Sequence, residues 1–213
     1  MIIEILSISF IGGLLSLDIS PWGQIMVSRP IVCGPLIGFL LGDLKTGLII
    51  GVLLELIWIN VISVGAAIPP DATIVAVTCT TLIILNERML PPGNNFQDSY
   101  RMAVLALTMP LGEIFRSIDV KQRKLNVYFV HYLEREISKG NLDTIEKVTY
   151  LSLFLFFLKG FLLSLMAISI GVYFLPKLFS FLPFGILAGL NFAYRVLPAL
   201  GLAIAFNTFS RGL

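Results

Sequence analysis

Residues 28–71 read SRPIVCGPLIGFLLGDLKTGLIIGVLLELIWINVISVGAAIPPD, and this stretch decides the fold. It is strongly apolar. It nevertheless carries Arg29, Asp43, Lys45, Glu55 and Asp71, and Pro30, Gly34, Pro35, Gly38, Gly42, Gly65, Pro69 and Pro70 interrupt it. A spanning helix needs about 20 mostly apolar residues. The charge-free piece 30–42 is short for that, and short apolar segments broken by glycine and proline are typical of re-entrant or discontinuous membrane helices. Residues 46–70 are long enough to span, with Glu55 as their one charge. An open sheet in lipid cannot satisfy its edges, so these runs predict helices.

The rest of the chain agrees with lipid as the solvent. Of 213 residues 57% are hydrophobic and 13% charged, with a mean hydropathy of +0.92. Ordinary soluble domains carry roughly 25% charged residues. A disordered chain, a nucleic-acid binder and a water-soluble domain with a polar shell are excluded. The net charge of +2 names no partner. Cys33 and Cys79 sit in apolar runs and read as small buried hydrophobes, with no metal or redox pattern around them. The N-terminal MIIEILSISFIGG lacks a positively charged start and a cleavage site, so it reads as a retained membrane helix.

Further apolar runs lie at 1–17, 72–86, 102–118, 148–176 and 178–210, with Pro183, Gly185, Pro198 and Gly201 as places to bend or break the last. Between them, 119–147 holds 6 of the 15 basic and 5 of the 13 acidic residues. Leu125, Phe129, Leu133 and Ile137 recur there every fourth position, which predicts an amphipathic helix. Gly140 ends it, and Asn141 or Asp143 caps the next. Arg116, Lys121, Arg123 and Lys124 place 119–147 in the cytoplasm and 86–101 outside. The expected architecture is an all-α polytopic membrane protein with about seven embedded segments, some re-entrant or broken, plus a cytoplasmic amphipathic helix. Three regions follow: 1–118 with the broken stretch, a connector at 119–147, and 148–213.

An ionisable side chain at membrane depth costs about 2.5–3.5 kcal/mol on insertion scales, so such residues pair, face an interior or line a path. Arg29 precedes Pro30, which favours extended backbone and a helix start just after it. It reads as a snorkelling arginine or as a cation beside a polar cavity. Gly42-Asp43-Leu44-Lys45-Thr46-Gly47 reads as a tight turn with Asp43 or Thr46 capping the next helix. Glu55 lies too deep to snorkel. Asn60 and Ser63 follow near the same face, then Gly65-Ala66-Ala67-Ile68-Pro69-Pro70-Asp71, where the helix must break. A carboxylate, an amide and a hydroxyl beside exposed backbone suit a neutral polyhydroxyl solute; the alternative is a structural break closed by internal ion pairs. His131, the one histidine, sits among charges and reads as an exposed bystander. No catalytic constellation, metal cluster or cofactor motif is visible.

The run Arg29-Pro30, Gly38, Gly42-Asp43, Lys45-Thr46-Gly47, Gly51, Glu55, Gly65-Ala66-Ala67 and Pro70-Asp71 resembles the IIC subunit of the mannose/fructose/sorbose family of bacterial sugar phosphotransferase systems. Gly140-Asn141-Leu142 adds to the likeness. The resemblance implies an all-helical inner-membrane permease with re-entrant hairpins. It would work with a second membrane subunit, IID, and carry a hexose to cytoplasmic IIA and IIB phosphocarriers. It would hold no cofactor, no metal and no phosphorylated residue of its own, and it would assemble as an oligomer in the bilayer without nucleic acid. Sugar contacts would fall to Glu55, Ser63 and Asp71, with Asn60 and Arg29 beside them. Pro30, Gly42, Asp43, Lys45, Gly65 and Pro70 would shape the motif. Met26 and Ser63 stand where the family commonly has Gln and Asn. Family members carry further C-terminal membrane sequence, which also allows a shortened, non-transporting homologue with a scaffold, sensor or regulatory role. An unrelated small ion-coupled transporter is the third reading.

Overall fold

The computed structural model describes residues 1–19, 21–61, 68–89 and 96–211. All regular structure among them is helical: α1 Ile2–Leu17, α2 Pro30–Leu40, α3 Leu44–Trp58, α4 Ala72–Glu87, α5 Gln97–Thr108, α6 Leu111–Ser138, α7 Asp143–Ser180 and α8 Phe184–Arg211. Two of these, α7 and the 184–208 part of α8, are long and apolar enough to cross a membrane.

The axis of the molecule is α4. Its sequence carries no charge between 72 and 86, and every residue from Thr73 to Asn86 is buried. A helix apolar all round belongs in the centre, and α1, α2, α3, α5, α6 and α7 pack about it. Asp71 starts it by accepting a hydrogen bond from the Ile74 amide at 3.0 Å, which satisfies one of the orphan donors of the first turn.

Against α4 lies the hairpin formed by α2 and α3. With 11 and 15 residues these helices rise about 16 and 22 Å, short of the roughly 30 Å of a hydrocarbon core. This is the re-entrant geometry expected from the broken stretch. The two backbones touch through glycines. A Cβ on Gly34 would stand 2.5 Å from the Gly47 carbonyl oxygen and 2.6 Å from the Gly51 Cα. Gly34, Gly38, Gly47 and Gly51 therefore form a seam without side chains. At the tip Gly42 takes φ +78°, which glycine adopts without a Cβ penalty. Asp43 caps α3 by accepting from the Thr46 amide at 3.0 Å. Arg88, just past α4, reaches the Leu41 carbonyl and the Glu4 carboxylate, pinning the tip to α1 and α4.

Small residues also seat α7 on α1, where Gly160 meets Ser16 and Gly13 meets Phe157. By contrast, a Cβ on Gly189 in α8 would meet nothing within 4 Å. Gly189→Ala is expected to leave thermal unfolding in detergent unchanged, or to raise the midpoint slightly through helix propensity. A clear drop in melting temperature would refute that.

Several expectations need correction. The run 102–118 is not one helix, because Pro110 separates α5 from α6 and occupies the N-cap of α6. The amphipathic helix begins at Leu111 and runs unbroken to Ser138, so position 118/119 lies inside it. Gly140, at φ +82°, does end it. The residue before α7 is Leu142, with no side-chain cap, and Asp143 already lies within the helix. Pro198 sits inside a continuous α8 rather than breaking it. The second half of 46–70 is not helical among the described residues, since α3 stops at Trp58.

Candidate functional site

The open end of the α2–α3 hairpin gathers the polar residues. Arg29 is the N-cap of α2, extended at φ −68°, ψ 142°, with Pro30 at the first helical position. Opposite it, one turn before the end of α3, stands Glu55. The Arg29 Nε donates to Glu55 Oε1 at 2.8 Å, and Nη2 binds the same oxygen. The Ile31 amide donates to Oε2 at 3.3 Å. Glu55 thus caps α2 from across the hairpin, placing negative charge at the positive end of that helix. Glu55 is 16% exposed and Arg29 36%, so the pair is open on one side. Oε2 holds one long hydrogen bond and has spare acceptor capacity, while the guanidinium has donors to spare.

The loop before Arg29 is held from below. Asp18, at the end of α1, accepts from the Ile25 amide at 2.7 Å and the Ser28 amide at 3.0 Å. Gly23, Gln24 and Met26 all have positive φ in this loop. The Thr73 hydroxyl donates to the Ser28 carbonyl at 2.8 Å, joining the residue before Arg29 to the first turn of α4.

The other expected site residues are distributed differently. Asp71 does not face the hairpin mouth with an open carboxylate. Its side chain is fully buried, one oxygen caps α4, and the other stands 3.9 Å from the Lys159 ammonium of α7. Lys159 also binds Asp119 of α6. Asn60 is exposed, and its Oδ1 accepts from Thr208 of α8. Ser63 and Gly65 lie outside the described residues. Lys45 is exposed on the first turn of α3, and Pro70 is half-buried with its carbonyl accepting from the Ala72 amide at 2.9 Å. His131 is on the exposed part of α6, its Nδ1 2.8 Å from the Val127 carbonyl. Nearby, Lys139 hydrogen-bonds Glu136 and holds its carboxyl below the usual range.

Sequence reasoning missed Asp18, Asp119 and Lys159. Asp18 sits at the end of an apolar run, as an unremarkable helix stop would. Lys159 had a signal, being the one charge in 148–176, but nothing local names a partner 40 residues away.

Comparison with known proteins identifies the family. The family model described as "PTS system sorbose-specific iic component" matches residues 2–211. The chain belongs to this family. Its described residues fold as helices throughout, two of them long and apolar enough to cross a membrane. Among curated relatives, the mannose-specific EIIC component of Escherichia coli K12 is 29% identical over 185 residues, covering 86% of this chain and 65% of the relative. The fructose permease IIC component of Bacillus subtilis 168 is 28% identical over 206 residues, covering 97% of this chain and 71% of that one. The chain therefore spans about two thirds of the mannose-specific relative's length. Among solved structures, one described as a membrane protein superposes with a TM-score of 0.74 at 27% identity, covering 98% of this chain and 78% of that one. The mannose transporter ManYZ in complex with microcin E492 gives 0.65 at the same identity and coverage. The chain is thus similar to IIC subunits of sugar phosphotransferase systems.

Proposed function

We propose that the chain is the solute-handling subunit of a sugar permease in the bacterial inner membrane. It works beside a IID-type subunit and delivers a hexose to a cytoplasmic IIB phosphocarrier recharged by IIA. The observation that carries this reading is the Arg29–Glu55 pair, held half-open at the mouth of a hairpin too short to cross the bilayer. A carboxylate accepts from two hydroxyls while the guanidinium donates to others, which is the chemistry a neutral polyhydroxyl solute requires. Asn60 and Ser63, which follow Glu55 in the sequence, would add an amide and a hydroxyl to the site. Asp71 acts from behind, as the buried cap of α4. The solved mannose transporter with the same fold supports a IID partner, and the exposed, charged 119–147 region supports a cytoplasmic face for α6.

The test is Glu55→Gln. This keeps the size, exchanges one acceptor oxygen for an amide donor and removes the charge. Losing charge-assisted hydrogen bonds worth about 1.5–3 kcal/mol lowers uptake roughly ten- to a hundredfold. Uptake of radiolabelled mannose and fructose, normalised to the amount of protein in the membrane, reads the effect. Unchanged uptake at equal protein would remove Glu55 from the site.

A further inference from the structure

Lys159, Asp71 and Asp119 form a cluster closed off from solvent, with side chains 9%, 0% and 10% exposed. The Lys159 Nζ binds Asp119 Oδ1 and stands 3.9 Å from Asp71 Oδ2. That oxygen has no hydrogen-bond partner, so Lys159 acts on Asp71 by charge across a gap. The Asp71 amide donates to the Gly112 carbonyl at 3.2 Å. Gly112 and Asp119 lie two turns apart on one face of α6. The contacts close a ring: Asp71 to Gly112, along α6 to Asp119, across to Lys159 on α7, and back to Asp71.

Gln122, one turn beyond Asp119, is also buried with neither amide atom bonded. A cluster selected for stability alone would not leave acceptors orphaned, and apolar residues of similar size hold helices together at least as well. The ring instead fixes a place. Asp71 begins α4, and Thr73, two residues on, holds the Ser28 carbonyl beside Arg29. The side of the hairpin mouth that carries Arg29 is thus fastened to the turn that Lys159 secures.

We infer that Lys159 is a positioning residue: held by Asp119, it fixes the first turn of α4 to α6 and α7 and thereby sets the geometry of the Arg29–Glu55 site. The inference rests on the reading of that site as the solute site. It also makes the seating of α6 and the affinity for solute two readings of one arrangement.

Asp119→Asn tests this in the full chain with its membrane partner. One carboxylate then remains for one ammonium, so no buried charge is left uncompensated. The ammonium goes over to Asp71 and the tie to α6 is weakened. The apparent KM for radiolabelled mannose or fructose is expected to rise about tenfold. The protein amount and maximal rate hold, and Asp119→Glu restores the KM. A purely structural cluster gives the opposite split, with less folded protein and an unchanged KM, and that result overturns the inference. If Glu55→Gln abolishes uptake while Asp119→Asn leaves the KM alone, only the role of Lys159 falls. If neither matters, the solute site itself is misplaced.

Discussion

Gly47→Ala protein is expected to fail to accumulate in the membrane, although alanine is the better helix former. A Cβ on Gly47 would stand 2.5 Å from the Gly34 carbonyl oxygen and 2.7 Å from the Gly38 Cα. These are backbone atoms, so no rotamer change relieves the clash. Either the two helices separate or the hairpin shifts on α4, where Cys33, Ile37, Ile50 and Leu54 are buried. Overpacking of ordinary cores costs about 1–3 kcal/mol, and a clash between two backbones belongs at or above the top of that range. Total stabilities are only about 5–15 kcal/mol, so the loss is large. Thermal unfolding of the purified protein and immunoblotting of membranes measure it. A melting temperature within a degree or two of wild type would show that the hairpin yields.

Lys159→Met is the second large effect. The buried cluster is short of positive charge even with the lysine present. Without it, Asp71 and Asp119 face each other with no cation, and breaking a buried pair from one side costs about 3–5 kcal/mol. Methionine fills the volume, so the loss is electrostatic rather than a cavity. Adding Asp119→Leu to Lys159→Met removes one stranded carboxylate and is expected to recover much of the stability, a coupling of the two sites that a double-mutant cycle isolates. If Lys159→Met melts like wild type, the carboxylates are not charged neighbours of the lysine.

The sequence shows the hairpin's ends more clearly than its seam. Pro30 after Arg29, and Gly42-Asp43 before Thr46, mark a helix start and a turn through local chemistry, and both are observed. The extent of α4 is legible in the charge-free run 72–86. The seam was legible too, in two glycine pairs spaced by four, 34/38 and 47/51, a pattern associated with close helix approach in membranes. Read one by one as breaks, those glycines lose that meaning. The break at Pro110 is hidden within the 102–118 run because hydropathy continues through it while the backbone does not. The polar residues divide in the same way. Glu55 stands out because burial depth can be counted along one helix. Its partnership with Arg29, the capping task of Asp71 and the ring through Lys159 depend on which helices lie side by side. That is settled by packing across 26 to 84 residues of chain, as the Arg29–Glu55 and Arg88–Glu4 pairs show.

The side-chain-free seam between α2 and α3 also has a mechanical meaning. Flexible side chains between helices absorb displacement by changing rotamer; two backbones in direct contact have no such cushion. The hairpin therefore behaves as a stiff plank about 22 Å long, fastened at its tip by Arg88. Any tilt about that fastening is carried to the far end, where it works against the Thr73–Ser28 hydrogen bond. A few degrees at the pivot displace Arg29 and Glu55 together by an ångström or so, moving the site as a unit without dismantling it.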